Sequence, residues 1–416
     1  MSLNQKQREA FELIKEGHNV FLTGAAGTGK SYLIHYLKEH LEDVDITAST
    51  GIAANHLGGQ TIFSWGGFFP IKPLKSYGQK EPPYIRKRID RCKVLIIDEV
   101  SMIDAKFLDY LDESLRHCRQ SPHQSFGGLQ IILVGDFMQL PPVDPDGDYC
   151  FKSEAWEKAN LVSIKLTEIK RQKDPLMAGL LNRMQVNEMS EYDIDHLKNM
   201  NINHEFSEDV VQLFPRNMLC DRVNRRKLNA LDGERHSFLA EMQAELGVNE
   251  KQAEIGMKKF INDSLIESNL IVKEGARVMM LSNEHLEKHS IANGSTGEIV
   301  DIEPHEITVA FDNGVCIPIS RKVYEVKIKD PYTRDEKTIG QISQFPLKLC
   351  WAITIHKSQG MSLDRMAIDF EGIFAPFQAY VALSRARTLE GVQIKNFDPK
   401  YIKIDQEAVD FMRSIE

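Results

Sequence analysis

Residues 24–31 read Gly24-Ala25-Ala26-Gly27-Thr28-Gly29-Lys30-Ser31. Glycines at this spacing, followed by a lysine and a hydroxyl, fit the P-loop pattern. Gly24, Gly27 and Gly29 carry no Cβ, so backbone N–H groups can wrap phosphate oxygens at close range. Lys30 supplies a cation for the β- and γ-phosphates, and the Ser31 hydroxyl is a ligand for Mg²⁺. Further residues suit the same chemistry. Asp98 and Glu99 follow the apolar run Val94–Ile97. Asp98 can hold Mg²⁺, and Glu99 can orient and deprotonate an attacking water. Gln139, in IILVGDFMQ, has both a donor and an acceptor for sensing a γ-phosphate or its water. Arg171 in LTEIKRQKD, just after a strand, and Arg385 in VALSRAR, at the start or end of a helix, are candidates for the positive charge needed beyond the γ-phosphate as charge shifts in the transition state. Alone, each has a plainer reading: a polar turn, a capping glutamine, a surface arginine. The P-loop tips Asp98 and Glu99 toward function and gives Gln139 a phosphate to sense.

The surrounding pattern must position these groups. Val20–Leu22 is a short apolar strand entering the loop, and YLIHYLKEHL after it has helical periodicity. The loop therefore opens a helix, whose N-terminus favours anions. Strands at 19–22, 44–48, 93–97 and 131–134, separated by helices, predict an α/β fold on a parallel sheet. At this stage the chain reads as an ATPase. From about residue 160 there is no second phosphate loop. The apolar runs LVSIKL (161–166), VVQLFP (210–215), ARVMML (276–281), LKLCWAITI (347–355) and AYVALSRA (379–386) predict a second parallel sheet. Between 281 and 345, TGEIVDI, EITVAF and VCIPIS with the turn signal Asp312-Asn313-Gly314 predict short β-strands.

A chain of 416 residues, 42% apolar and 27% charged, can bury the cores of two or three domains. No run approaches the length of a membrane helix. The polar N-terminus has no signal-peptide core. The six cysteines lack metal-ligand or redox spacing, which predicts reduced thiols in a cytoplasm-like compartment. The net charge of −9 argues mildly against a nucleic-acid partner, although a local groove can still be basic.

The order of these motifs resembles superfamily 1 helicases, most closely the Pif1 family, with RecD-type and phage Dda helicases as neighbours. Leu3–Gln7 resembles the family's adenine-reading segment, GAAGTGKS motif I, and Thr47–Trp65 the motif Ia region. DEVSM, GDFMQLPPV, LTEIKRQKD, ITIHKSQGMS and YVALSRA resemble motifs II to VI. The segment AKFLDYLDESLRHCRQSPHQSFGGLQ resembles the Pif1 signature in length and in its FGG ending. The family often has Pro-Thr-Asn where this chain has Pro215-Arg216-Asn217. No motif is assigned to about 233–270.

The resemblance implies two RecA-like P-loop domains in tandem, a small wedge insertion (1B) and a small SH3-like β-barrel insertion (2B). The expected boundaries are 1–158 for domain 1A, with the wedge at 66–92. Domain 2A is expected at 159–280 and 346–416, with 2B at 281–345. ATP would sit between the two large domains, held by Gln7, Gly24, Gly27, Thr28, Gly29, Lys30, Ser31 and Gly360, with Mg²⁺ on Ser31 and Asp98. Lys30, Glu99, Gln139, Arg171 and Arg385 would carry catalysis. Single-stranded DNA would be gripped by Ser49, Thr50, Gly51, Phe63, Ser64, Trp65, Asn217, His356, Lys357 and Ser358.

The expected activity is ATP-dependent unwinding of duplex or structured DNA, G-quadruplexes among the candidates, with 5′→3′ translocation. The expected partners are single-stranded and forked or structured DNA, with no membrane. The expected state is a monomer, with dimerisation on DNA as the variant. The expected source is prokaryotic or phage and the compartment cytoplasmic, with nuclear and mitochondrial settings left open. A single-strand translocase with weak unwinding and a DNA-independent P-loop ATPase are the alternatives.

Overall fold

The computed structural model describes residues 3–68, 83–142, 144, 147–168, 174–202, 204, 206–207, 210–282, 285–291, 293–329, 336–359, 361 and 363–415. Arg171, Gly360 and residues 69–82 of the expected wedge lie outside them.

Six strands build the first sheet: β1 (Val20–Gly24), β2 (Val44–Ala48), β3 (Gln60–Thr61), β4 (Val94–Asp98), β5 (Gln130–Val134) and β6 (Val162–Leu166). They run parallel in the order β3-β2-β4-β5-β1-β6. β1, β2 and β4 are buried along their whole length. That burial on both faces explains why they read as apolar runs rather than alternating patterns. Helix Gln5–Lys15 starts on a capping box, in which Asn4 and Gln7 satisfy each other's backbone N–H groups. Helix Lys30–His40 follows the phosphate loop directly.

β7 (Val211–Phe214) begins the second parallel sheet. The strands β8 (His236–Leu239), β9 (Glu241–Ala244), β10 (Asn269–Val272), β11 (Arg277–Met280), β12 (Thr296–Ile302), β13 (Glu306–Phe311), β14 (Cys316–Ser320), β15 (Lys322–Lys329), β16 (Glu336–Gln344) and β17 (Leu347–Leu349) follow. β18 (Ala352–Thr354), β19 (Met366–Asp369) and β20 (Val392–Lys395) then complete the second sheet, in the order β18-β7-β19-β20. The intervening strands form antiparallel sheets ordered β14-β13-β12-β11-β17, β15-β16-β9 and β10-β8.

Several expectations change. LVSIKL is β6, which pairs with β1 in the first sheet and does not belong to the second half. ARVMML is β11, an antiparallel strand between β12 and β17, so the expected boundary at 281 would separate hydrogen-bonded neighbours. AYVALSRA adds no strand to the second sheet; helix Gln378–Leu383, buried at every residue, ends just before Arg385, as expected for that arginine. Burial on all sides removes the periodicity that separates helix from strand. The unassigned stretch 233–270 supplies β8, β9 and helix Glu250–Asp263, and β9 pairs with β16. The last helix, Gln406–Ser414, returns to the first core, where Phe411 stacks on Phe151 at 4.1 Å. Among the described residues, no helix is long and apolar enough to cross a membrane.

Candidate nucleotide and nucleic-acid site

The carboxyl ends of β1, β2, β4 and β5 share one edge of the first sheet, because all four run parallel. The phosphate loop, Ser49, Asp98, Glu99 and Gln139 all follow those strand ends, whereas Gln7 lies on helix Gln5–Lys15 and Phe63, Ser64 and Trp65 lie on helix Ile62–Gly66 after β3. Gly24 has φ 147° and Gly29 φ 91°, values that L side chains rarely adopt. A Cβ on Gly24 would also lie 2.5 Å from the Leu166 carbonyl oxygen. The loop therefore needs glycine for both conformation and space. Lys30 Nζ donates to the carbonyls of Gly24 (2.6 Å) and Ala25 (3.2 Å), and Thr28 Oγ1 donates to Ala25 O. Buried Gln7 donates from Nε2 to Gly29 O at 3.3 Å, so one side chain both caps its helix and touches the phosphate loop.

Asp98 is buried at the end of β4. Burial, reinforced by the charge of Glu99, pushes its carboxyl above the usual carboxylate range. Glu99 sits at φ 51°, ψ 46°, an uncommon conformation for a non-glycine residue. Its carbonyl accepts from Ser49 Oγ at 2.9 Å, while Ser49 N donates to Asp98 O at 3.1 Å. A candidate track residue is thus bonded twice to the backbone of the acidic pair. Ser31 and Asp98 offer hard oxygen donors that suit a small divalent cation. The raised Asp98 carboxyl is the kind of desolvated acid that such a cation offsets.

Gln139 is buried and donates from Nε2 to Asp136 Oδ2 at 3.2 Å. Gln185, on helix Pro175–Gln185, approaches the same Oδ2 and the Met138 carbonyl at 3.4 Å each. A cavity of about 260 Å³ lies here, walled by Gly24, Ala25, Thr28 and Asp136 on one side and by Asn182 and Gln185 on the other. Nothing in the local sequence marks Asn182 or Gln185. Both lie in an ordinary amphipathic helix, and only its docking brings them to the phosphate loop.

The DNA candidates divide. Thr50 caps helix Gly51–His56 through its side chain. A Cβ on Gly51 would lie 2.7 Å from Asp263 O, so helix Glu250–Asp263 abuts this loop. Lys259 of that helix donates to Ser64 Oγ at 2.6 Å. Phe63 is partly buried against Phe107, with ring centroids 4.7 Å apart. Trp65 corrects the sequence reading. It is fully buried, donates to Asp45 Oδ2 at 2.9 Å, and has no face to offer a base. Ser358 is corrected likewise: its side chain is buried and its hydroxyl donates to Ile355 O at 2.8 Å. His356 and Lys357 are half-buried at the end of β18, and burial lowers the His356 pKa. Asn217 is exposed at the start of helix Asn217–Ala230. Arg385 is buried. It donates to Val381 O at 2.9 Å, Ser384 Oγ at 2.7 Å and Ser358 O at 3.4 Å.

A family model described as PIF1-like helicase matches residues 2–206. The ATP-dependent DNA helicase Pif1 of Bdellovibrio bacteriovorus is 32% identical over 100% of this chain and 93% of its own length. The chain belongs to the Pif1-like helicases. The PIF1 helicase of Xenopus laevis is 34% identical over 100% of this Pif1-like chain, which spans only 64% of that relative. Bacteroides sp Pif1 in complex with ADP-AlF4 has a TM-score of 0.86 at 31% identity, covering 100% of this chain and 97% of that one. The same Bacteroides helicase bound to ssDNA has a TM-score of 0.67, with the same identity and coverage.

Proposed function

We propose that this chain is an ATP-dependent DNA helicase that moves along single-stranded DNA, 5′→3′, and unwinds forked or structured duplexes. The observation that carries the reading is the Ser49–Glu99 bond. It joins the strand end proposed to grip DNA to the strand end proposed to activate water. A change at either one is transmitted to the other through the short Ser49 hydroxyl and through the backbone bond from Ser49 N to Asp98 O.

In this reading the two parallel sheets are the cores of two RecA-like domains. The antiparallel sheets between β7 and β18 form the 2B insertion, and the wedge lies within residues 66–92, less helix Pro83–Arg91, whose Ile85 and Ile89 are buried in the first core. ATP enters between the halves. The loop N–H groups, Lys30 and the N-terminus of helix Lys30–His40 take its phosphates. Ser31 and Asp98 would hold Mg²⁺, which supplies charge neutralisation on the β- and γ-phosphates when bound. Glu99 accepts the proton of the attacking water, Gln139 orients it, and Arg171 and Arg385 offset developing charge from the second half. ATP favours the closed pairing of the halves because both contact it, and hydrolysis removes that preference. Alternating grips by Ser49–Gly51 with Ser64, and by Asn217, His356 and Lys357, convert closure into movement. Basic and neutral hydrogen-bonding residues suit a sequence-tolerant hold on phosphates.

The deciding experiment compares ATP hydrolysis with and without a single-stranded oligonucleotide, then follows strand separation of a fork carrying a 5′ tail. Strong stimulation and unwinding are expected. Hydrolysis indifferent to DNA would leave a nucleotide-gated module in place of a motor.

A further inference from the structure

β18, β7 and β19 lie side by side and parallel, with Thr354 in register with Phe214 and Ile368 with Leu213. Loops leaving their carboxyl ends therefore start from one edge, on strands about 4.8 Å apart. The first loop carries His356 and Lys357, the second Arg216, and the third Phe374. Phe374 is 49% exposed, and Met218 beside Arg216 is 77% exposed. The Arg216 guanidinium lies over the Phe374 ring, 5.2 Å from its centroid.

The position of this ring is built from backbone. Phe374 N donates to Oε1 of fully buried Gln378 at 3.0 Å, and Phe374 O accepts from Lys403 Nζ at 3.3 Å. Its loop also packs on the strand before Arg216, since a Cβ on Gly372 would lie 3.3 Å from Pro215 Cγ. A half-exposed aromatic held this way is displayed to solvent rather than spent on the core. The local charge is opposite to that of the chain. Against a net −9, residues 216–230 carry Arg216, Arg222, Arg225, Arg226 and Lys227 with Asp221, while the segment leading to Phe374 carries Asp369 and Glu371.

We infer that Phe374 and Arg216 form a stacking station for one base of a single strand. The base lies on the exposed part of the ring, and the guanidinium neutralises an adjoining phosphate. Stacking on an aromatic face is sequence-tolerant because every base has a π-face. The inference rests on the proposal that the second half holds single-stranded DNA.

The test uses the full chain and a labelled oligothymidylate, with binding followed by anisotropy across a salt series. Phe374→Ala is expected to weaken binding about tenfold without changing the slope of log affinity against log salt. Arg216→Ala is expected to weaken binding and to lower that slope by about 0.7. Phe374→Trp is expected to keep wild-type affinity and to add a fluorescence signal quenched by the oligonucleotide. If Phe374→Ala melts lower than wild type, the tryptophan variant carries the test alone. Wild-type affinity in Phe374→Ala, or an unquenched tryptophan, overturns the station while the helicase reading stands. Failure of the wild-type protein to bind the oligonucleotide overturns both.

Discussion

The Arg385 guanidinium donates to the Ser358 carbonyl at 3.4 Å, and both residues are buried. This bond ties the end of helix Gln378–Leu383 to the turn after β18. Leu363 N donates to Arg385 O at 2.8 Å and adds a second tie between the same segments. The residue proposed to meet the γ-phosphate is therefore fastened to the turn that presents His356 and Lys357.

Arg385→Ala removes more than a charge. It leaves the buried Val381 and Ser358 carbonyls without this donor. The expected outcome is a loss of ATP turnover of about 10³-fold with nucleotide binding retained. A fall in stability of about 2–4 kcal/mol should accompany it. Turnover, nucleotide titration and urea unfolding on one preparation measure all three. Loss of nucleotide binding, or unchanged turnover, would contradict the assignment.

Lys30→Ala tests the phosphate loop at little structural cost. Lys30 is only partly buried, and the bonds described for its ammonium go to loop carbonyls. Turnover should vanish while the melting temperature stays close to that of the wild-type protein. A large drop in melting temperature would make the lysine structural.

Trp65→Phe separates core from track. The indole N–H bond to Asp45 is lost inside the first core, which costs about 1–3 kcal/mol. Affinity for single-stranded DNA, measured on the folded fraction, should not change. A lowered affinity with unchanged stability would restore Trp65 to the DNA surface.

Asp193 makes stability depend on pH. The Arg183 guanidinium donates to both of its carboxylate oxygens at 2.6–2.7 Å, and Ser190 adds further bonds. These bonds hold the Asp193 carboxyl well below the usual range. A depressed folded-state pKa means that the contribution is present above the unfolded pKa of about 4 and is lost as pH falls through the folded value. Asp193→Asn should therefore melt lower than wild type at pH 7, and the gap should narrow in increasingly acidic buffers. A gap independent of pH would refute the linkage.

His356 and Lys357 carry the last prediction. Alanine at either should weaken DNA stimulation of ATP turnover several-fold and leave nucleotide affinity unchanged. Equal loss of nucleotide affinity would place them at the cleft instead.

Much of the first half was legible because a parallel strand buried on both faces leaves a short apolar run with chemistry at its end. Val94–Asp98 followed by Glu99, and Val20–Gly24 followed by the glycine loop, carry that signature openly. Residues 379–386 read equally as a strand or as a helix end, because complete burial erases the difference between a short helix and a strand. β8, β9 and helix Glu250–Asp263 were missed because their sequence is polar and β9 is largely exposed. Half-exposed antiparallel strands have weak patterns, and β9 acquires meaning only by pairing with β16, nearly a hundred residues away.

From its sequence alone, the chain declares a phosphate loop, an acidic strand end and the order of Pif1-like motifs, because these depend on residue type over a few neighbouring positions. The tertiary structure decided which side chains face outward. It buried Trp65 and Ser358, exposed Phe374 under Arg216, and brought Gln185 to Asp136. Accessibility and contact across distant segments are properties of packing, and no local pattern of residue types contains them.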